Sequence, residues 1–219
     1  MSGIESWFEY LSSRWDLVAT TLTETLFYVI TVIVAASVVS IATGVLTRNR
    51  ALPRELSLAI TSVFLTIPSL ALFTIFIPVV GLGFWPSFIA LFLYALLPIL
   101  RNTVTGLQSV DSSVVESARG MGMTRAQILF RVELPLAWPI ILAGIRVSAL
   151  LTVGISAIAT LVAGGGLGDF IKSGLARLPL PNSLEAIWTG VILSLLLALA
   201  IDTSMRGIGR LTTSAGVRS

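Results

Sequence analysis

Apolar residues in this chain come in five runs, each near the roughly 20 residues that cross the hydrocarbon of a bilayer, with the polar residues gathered between them. The pattern predicts spans from about Thr25 to Leu46, Leu56 to Val80, Phe84 to Leu107, Trp138 to Val162 and Leu184 to Thr203. The second holds Pro68 and Pro78 and is expected to be kinked or broken, because proline removes a backbone donor and its ring crowds the preceding turn. The third holds Pro98. Ahead of the first span, Ile4, Trp7, Phe8, Leu11, Trp15 and Val18 keep helical spacing, which predicts a short amphipathic helix on the membrane surface; a frayed terminus is the alternative. Glu5 and Glu9 stand where a secretory leader would be basic. The expected organisation is an amphipathic segment at 1–20, one all-α membrane domain of five helices at 21–205, and a tail at 206–219.

The longest polar interruption in the middle of the chain, 109–137, has an order that a plain linker does not need. Asp111 or Ser112 can cap a helix from Ser113 to about Met121, with Glu116 in its early turns, where the helix dipole favours an acid. Gly122 permits the chain to leave that helix with positive φ. Thr124 can cap a second helix, Arg125 to Val132, with Ile128, Leu129 and Val132 on one face. Pro135 and Pro139 are expected to set the start of the fourth span.

Composition narrows the chemistry. Hydrophobic residues make up 55% and charged residues 11% of the 219 positions, against about a quarter charged in soluble domains, and the mean hydropathy is +0.96. With no cysteine and no histidine, disulfides, thiolate and imidazole catalysis and the common zinc and haem ligands are excluded. Thirteen of the fourteen basic residues are arginine, and their placement reads as membrane topology, not nucleic-acid binding. Arg48, Arg50, Arg54, Arg101, Arg119, Arg125, Arg131, Arg206, Arg210 and Arg218 fall on one side of a five-span chain. Only Arg14, Lys172 and Arg177 fall on the other, so the arginine-rich side is expected to be cytoplasmic, with the N-terminus outside. Ile171 precedes the single lysine, Lys172, so the Gly-Lys-Ser/Thr of a phosphate-cradling loop is absent, and any ATP hydrolysis belongs to another subunit.

Three further features stand out. Arg146 lies inside the fourth span, where it either snorkels to the interface or meets a carboxylate or carbonyl near the mouth of the span. Ala163-Gly-Gly-Gly-Leu-Gly-Asp169 follows that span as a glycine turn or a site of close helix packing, and it does not fit a dinucleotide fingerprint. Around Pro68 a freed carbonyl can line a cavity or simply mark a packing kink. Pro68, Ser69, Phe73, Tyr94 and Arg146 are therefore candidates for lining a pathway, and Phe73 and Tyr94 offer ring faces to a cation. A channel or proton pathway would be expected to carry more ionisable groups within its spans.

The order Glu116-Ser117-Ala118, Gly122, then Val132-Glu133-Leu134-Pro135 resembles the Glu-Ala-Ala…Gly…Ile-x-Leu-Pro signature of permease subunits of type I ABC importers, with Ser117 in place of alanine. Ile67-Pro-Ser-Leu-Ala-Leu72, Ala90 to Thr103, Gly120-Met-Gly-Met-Thr124 and Gly164-Gly-Gly-Leu-Gly-Asp-Phe170 resemble the osmoprotectant branch, which carries glycine betaine, carnitine, choline or proline; methionine permeases are the nearest alternative. The resemblance implies a five-span core in a bacterial or archaeal plasma membrane, two permease chains, two ATPase subunits and an extracytoplasmic binding protein. It implies no cofactor on this chain, with ATP and magnesium held by the ATPase, and lipid but no nucleic acid as further partners. Glu116, Ser117, Ala118, Gly122, Met123, Leu134 and Pro135 would form the elbow that docks on the ATPase.

Overall fold

In lipid a backbone must satisfy its own polar groups, and a helix does so within one segment. The structure, a computed structural model, describes residues 3–212, and its regular elements are all helical. Helix α1, Gly3–Ser13, ends at Arg14, whose φ of −128° and ψ of 26° break the helix before α2, Trp15–Thr47. Trp15 and Val18 therefore belong to the first long helix and not to the terminal segment, a correction to the expected boundary near Thr25. Thr20, Thr21 and Thr23 return their hydroxyls to carbonyls four residues back, which lets this polar stretch stay helical. α1 is also docked: Trp7 Nε1 donates to Thr189 Oγ1 at 3.0 Å, and Tyr10 packs with Val18, Phe170 and Ala186. Residues 1–2, the Ile4 side chain and residues 213–219, with Arg218, lie outside the described residues.

The second span is two helical pieces. α3, Ala51–Thr66, begins five residues before the expected Leu56, and Ser69–Val80 leaves it at 101°. The chain turns at Ile67 and Pro68, both extended, because a residue before proline is pushed out of the helical region. After the turn come α4, Ser69–Ile75, and α5, Ile77–Val80, where Pro78 sits in the first turn and needs no donor partner.

α6, Phe84–Gln108, and α9, Leu134–Ala159, form the centre of the bundle. About half of each apolar window is buried, 56% for α6 and 50% for the helical run containing α9, against 33% for α2 and 22% for α11, Ser183–Thr212. The core joins Val32 and Ala36 of α2, Phe73 of α4, Leu91 and Ile99 of α6, and Ile141 and Ala149 of α9. Without a hydrophobic force between helices in lipid, small side chains and hydroxyls hold such contacts. Ser148 donates to the Ala95 carbonyl at 2.8 Å and Ser40 to that of Leu96 at 3.1 Å, next to the turn that Pro98 leaves short of a donor. α11 runs nine residues beyond the expected end at Thr203, and Trp138 Nε1 pins its last turn by donating to Thr212 Oγ1 at 2.8 Å. The expected tail from 206 is thus helix as far as Thr212. With the bent pair counted as one crossing, up to five spans are present among the described residues.

Candidate functional site

The elbow is built from local hydrogen bonds. Asp111 caps α7, Ser112–Gly120, its side chain accepting from Ser113 N–H at 2.8 Å. That backbone hydrogen bond holds the Asp111 carboxyl below its ordinary value. At the other end Gly122 takes φ of +81°, while its N–H donates to Arg119 and that of Met123 to Ala118. Thr124 and Gln127 then form a reciprocal capping box, at 3.3 and 2.8 Å, that starts α8, Arg125–Ile128.

The second elbow helix does not end before the fourth span. Leu129–Glu133 is a π turn in which Leu134 N–H reaches the Leu129 carbonyl, and the helix continues into α9, giving a run from Arg125 to Val162. The wider turn absorbs the clash that Pro135 would make with the carbonyl four residues back. Pro135 and Pro139 therefore lie within a continuous helix and do not mark its start.

The seven elbow candidates divide by exposure. Ala118 is buried and seats α7, Met123 and Leu134 are half-buried, and Glu116, Ser117, Gly122 and Pro135 are exposed. Val114 and Met121 are exposed as well, Met121 by 76%, so the outer face of the elbow presents apolar surface that this chain does not cover. Ile128 and Leu129 are buried and Val132 half-buried, on one inward face. Glu133 lies beside Arg48 from the end of α2, with Nε and Oε2 3.3 Å apart.

Of the five pathway candidates, Pro68, Ser69 and Tyr94 come together at the break in the second span, while Phe73 lies in the core and Arg146 on the fourth span. Pro68 is exposed and Ser69 half-buried at the break in the second span. Phe73 is fully buried in the core, and Tyr94, nearly as buried, donates its hydroxyl to the Ile67 carbonyl. Tyr94 thereby holds the break in place, because the carbonyl freed before Pro68 needs a donor and Tyr94 supplies it. Arg146 does not snorkel alone. Its Nε pairs with Oδ1 of Asp202 on α11, and Arg206, one turn on, takes Oδ2. Of the two readings of Arg146, the carboxylate partner is the one the structure contains.

Sequence reasoning missed the clasp at the opposite end. Thr160–Val162 closes the fourth span as a single tight turn, and residues 163–167 lead into α10, Gly168–Ala176. Glu24 accepts from Gly166 N–H at 2.8 Å and Thr25 from Leu167 N–H at 2.9 Å. A Cβ on Gly164 would come within 2.4 Å of Ser87 Oγ, and one on Gly168 within 2.3 Å of the Ala157 carbonyl, so the glycines are needed for close approach. Asp169, in α10, has its carboxyl pushed up by burial, against the pull of Lys172 and with a further push from Glu24. The one sequence signal was a carboxylate, Glu24, beside an apolar run.

Residues 36–213 match the family described as binding-protein-dependent transport system inner membrane component. The carnitine transport permease protein OpuCB of Listeria monocytogenes is 38% identical over 193 residues, 88% of this chain and 87% of its own length. The choline transport system permease protein OpuBB of Bacillus subtilis (strain 168) is 44% identical over 161 residues, 74% of this chain and 72% of its own. Among solved structures, an inward-facing form of the MetNI methionine ABC transporter matches with a TM-score of 0.79 and 28% identity, over 93% of this chain and 99% of that one. The chain belongs to the inner-membrane components of binding-protein-dependent transport systems, and is a permease subunit of an ABC importer.

Proposed function

We propose that this permease forms the membrane path for a quaternary-ammonium osmoprotectant: glycine betaine, choline or carnitine. Relatives named for carnitine and choline transport, at 38% and 44% identity, support that substrate class above the methionine alternative, whose structural match stands at 28%. The observation that carries the coupling role is the elbow's uncovered apolar face, Val114 and Met121 beside exposed Glu116 and Gly122. Such a face on a self-capped helix suits a groove on another protein.

In this reading two ATPase subunits, which hold ATP and magnesium, grip the elbows of two permease chains, either two copies or a copy and a paralogue. An extracytoplasmic binding protein delivers the solute. Closure of the ATPases moves the elbows and turns a midplane cavity from one side to the other. Glu116, Ser117, Ala118, Gly122, Met123, Leu134 and Pro135 shape and seat the elbow and catalyse nothing. Pro68, Ser69, Phe73, Tyr94 and Arg146 with its Asp202 partner are the pathway candidates, with Tyr94 also fixing the break. The elbow and the C-terminus face the cytoplasm and the N-terminus lies outside. Because the chain lacks cysteine, labelling of Met121→Cys from one side only tests that orientation directly.

The deciding experiment is uptake of labelled glycine betaine by cells stripped of their own osmoprotectant systems, with this chain expressed beside its ATPase and binding protein. ATP-dependent uptake competed by choline or carnitine is expected. Methionine carried in its place would remove the substrate assignment and leave the coupling argument standing.

A further inference from the structure

Two hollows lie in line between α2 and the start of the fourth span. The first, about 390 Å³, exposes no polar surface and is walled by Val38, Ile41 and Val45 on one side and Leu129, Phe130 and Leu134 on the other. Val38 and Phe130 on its flanks are 65% and 67% exposed, so it is open at its side. The second, about 270 Å³, is lined by Arg48, Asn49, Arg119, Arg125 and Glu133. The two hollows lie close together along the chain: Val38, Ile41 and Val45 of α2 wall the first, and Arg48 and Asn49, just past the end of α2, wall the second.

The polar hollow is under-neutralised. Three arginines face one carboxylate, and Glu133 lies against Arg48 alone, in a geometry that leaves Arg48 Nε and Glu133 Oε2 without a hydrogen bond. Arg119 and Arg125 have no ion-pair partner among the described residues. An apolar slot beside an under-neutralised cationic pocket has the polarity of a single lipid molecule. We infer that this groove holds an anionic glycerophospholipid, one acyl chain along α2 and its phosphate on Arg48, Arg119 and Arg125. The net positive pocket favours a phosphate with an uncharged or acidic headgroup, and repels an ammonium headgroup. A lipid seated there ties the end of α2 to both elbow helices, since Arg119 closes α7 and Arg125 opens α8. The leaflet follows from the topology proposed above; the binding does not, so an inverted topology would move the site to the other leaflet and leave retention unchanged.

The test is native mass spectrometry of the full-length chain, extracted from vesicles of equal parts phosphatidylglycerol and phosphatidylcholine and washed with detergent. Phosphatidylglycerol is expected to survive washes that strip phosphatidylcholine. R119Q with R125Q should lower its retention about thirtyfold, as loss of two arginines near a phosphate implies. Ala42→Trp, at an exposed groove position, should fill the slot and lower retention as much, with helical content and elution volume unchanged. Glycerophosphoglycerol, the headgroup without chains, should not displace the lipid. Retention indifferent to either variant would overturn the proposal. Equal displacement by the bare headgroup or by inorganic phosphate would leave a free-anion site instead. Loss of a protein contact on Ala42→Trp, read as a changed oligomeric state, would show the groove to be covered by another chain.

Discussion

The two ends of the fourth span are turned by glycine in opposite ways. At the elbow, Gly122 has φ of +81° and open space around it, with nothing within 4 Å of a Cβ. At the far end, Gly164 and Gly168 are pressed against Ser87 and the Ala157 carbonyl, and the turn between them is hydrogen-bonded to Glu24 and Thr25. One end is closed by its own chain. The other is complete in itself yet uncovered, the condition of a surface shaped for a separate partner. The contrast teaches that glycine marks a turn in both places but a packing constraint in only one.

Substitution should separate the two. Gly168→Val drives side-chain atoms into a backbone carbonyl that cannot move away, and overpacking of this kind costs about 3 kcal/mol. Little folded protein should reach the membrane, and accumulation at wild-type level would break the comparison. Thr25→Val keeps the shape but leaves Leu167 N–H buried without an acceptor, at a cost of about 2 kcal/mol. It should lower the melting temperature of the purified chain measurably. Thr124→Ala removes a cap worth about 1 kcal/mol, and the loss should stay local: faster amide exchange over residues 125–128, with the global melting temperature unmoved. The smallest effect on folding is at Gly122. Gly122→Glu places a charge into open space with about 1 kcal/mol of backbone strain, so the chain should fold and yet lose uptake at least tenfold. Wild-type uptake by that variant would sink the elbow assignment.

The same contrast explains what could be read from residues alone. The elbow was legible because its bonds close within a few positions, Asp111 to Ser113 and Thr124 to Gln127. The clasp was not, because Glu24 and Gly166 are 142 residues apart and no local pattern joins them. Span edges were misplaced where threonine and serine look polar in sequence but turn their hydroxyls back to the helix, as Thr20 and Ser204 do. Pro135 read as a boundary because a proline ring normally ends a regular helix; the π turn before it removes the conflict. Arg146 was visible as a cost in the bilayer, while Asp202, on another helix, could not be assigned to it from spacing.

That π turn has a mechanical consequence. It makes one unbroken rod of 38 residues, from Arg125 in the elbow to Val162 at the far turn. At 1.5 Å per residue the rod is about 57 Å long, nearly twice the hydrocarbon thickness of roughly 30 Å. If it moves as one body, a tilt of about 5° imposed at one end displaces the other by about 5 Å. The far end of that lever is the glycine turn fastened to Glu24 and Thr25, so torque applied at the elbow arrives directly at the clasp.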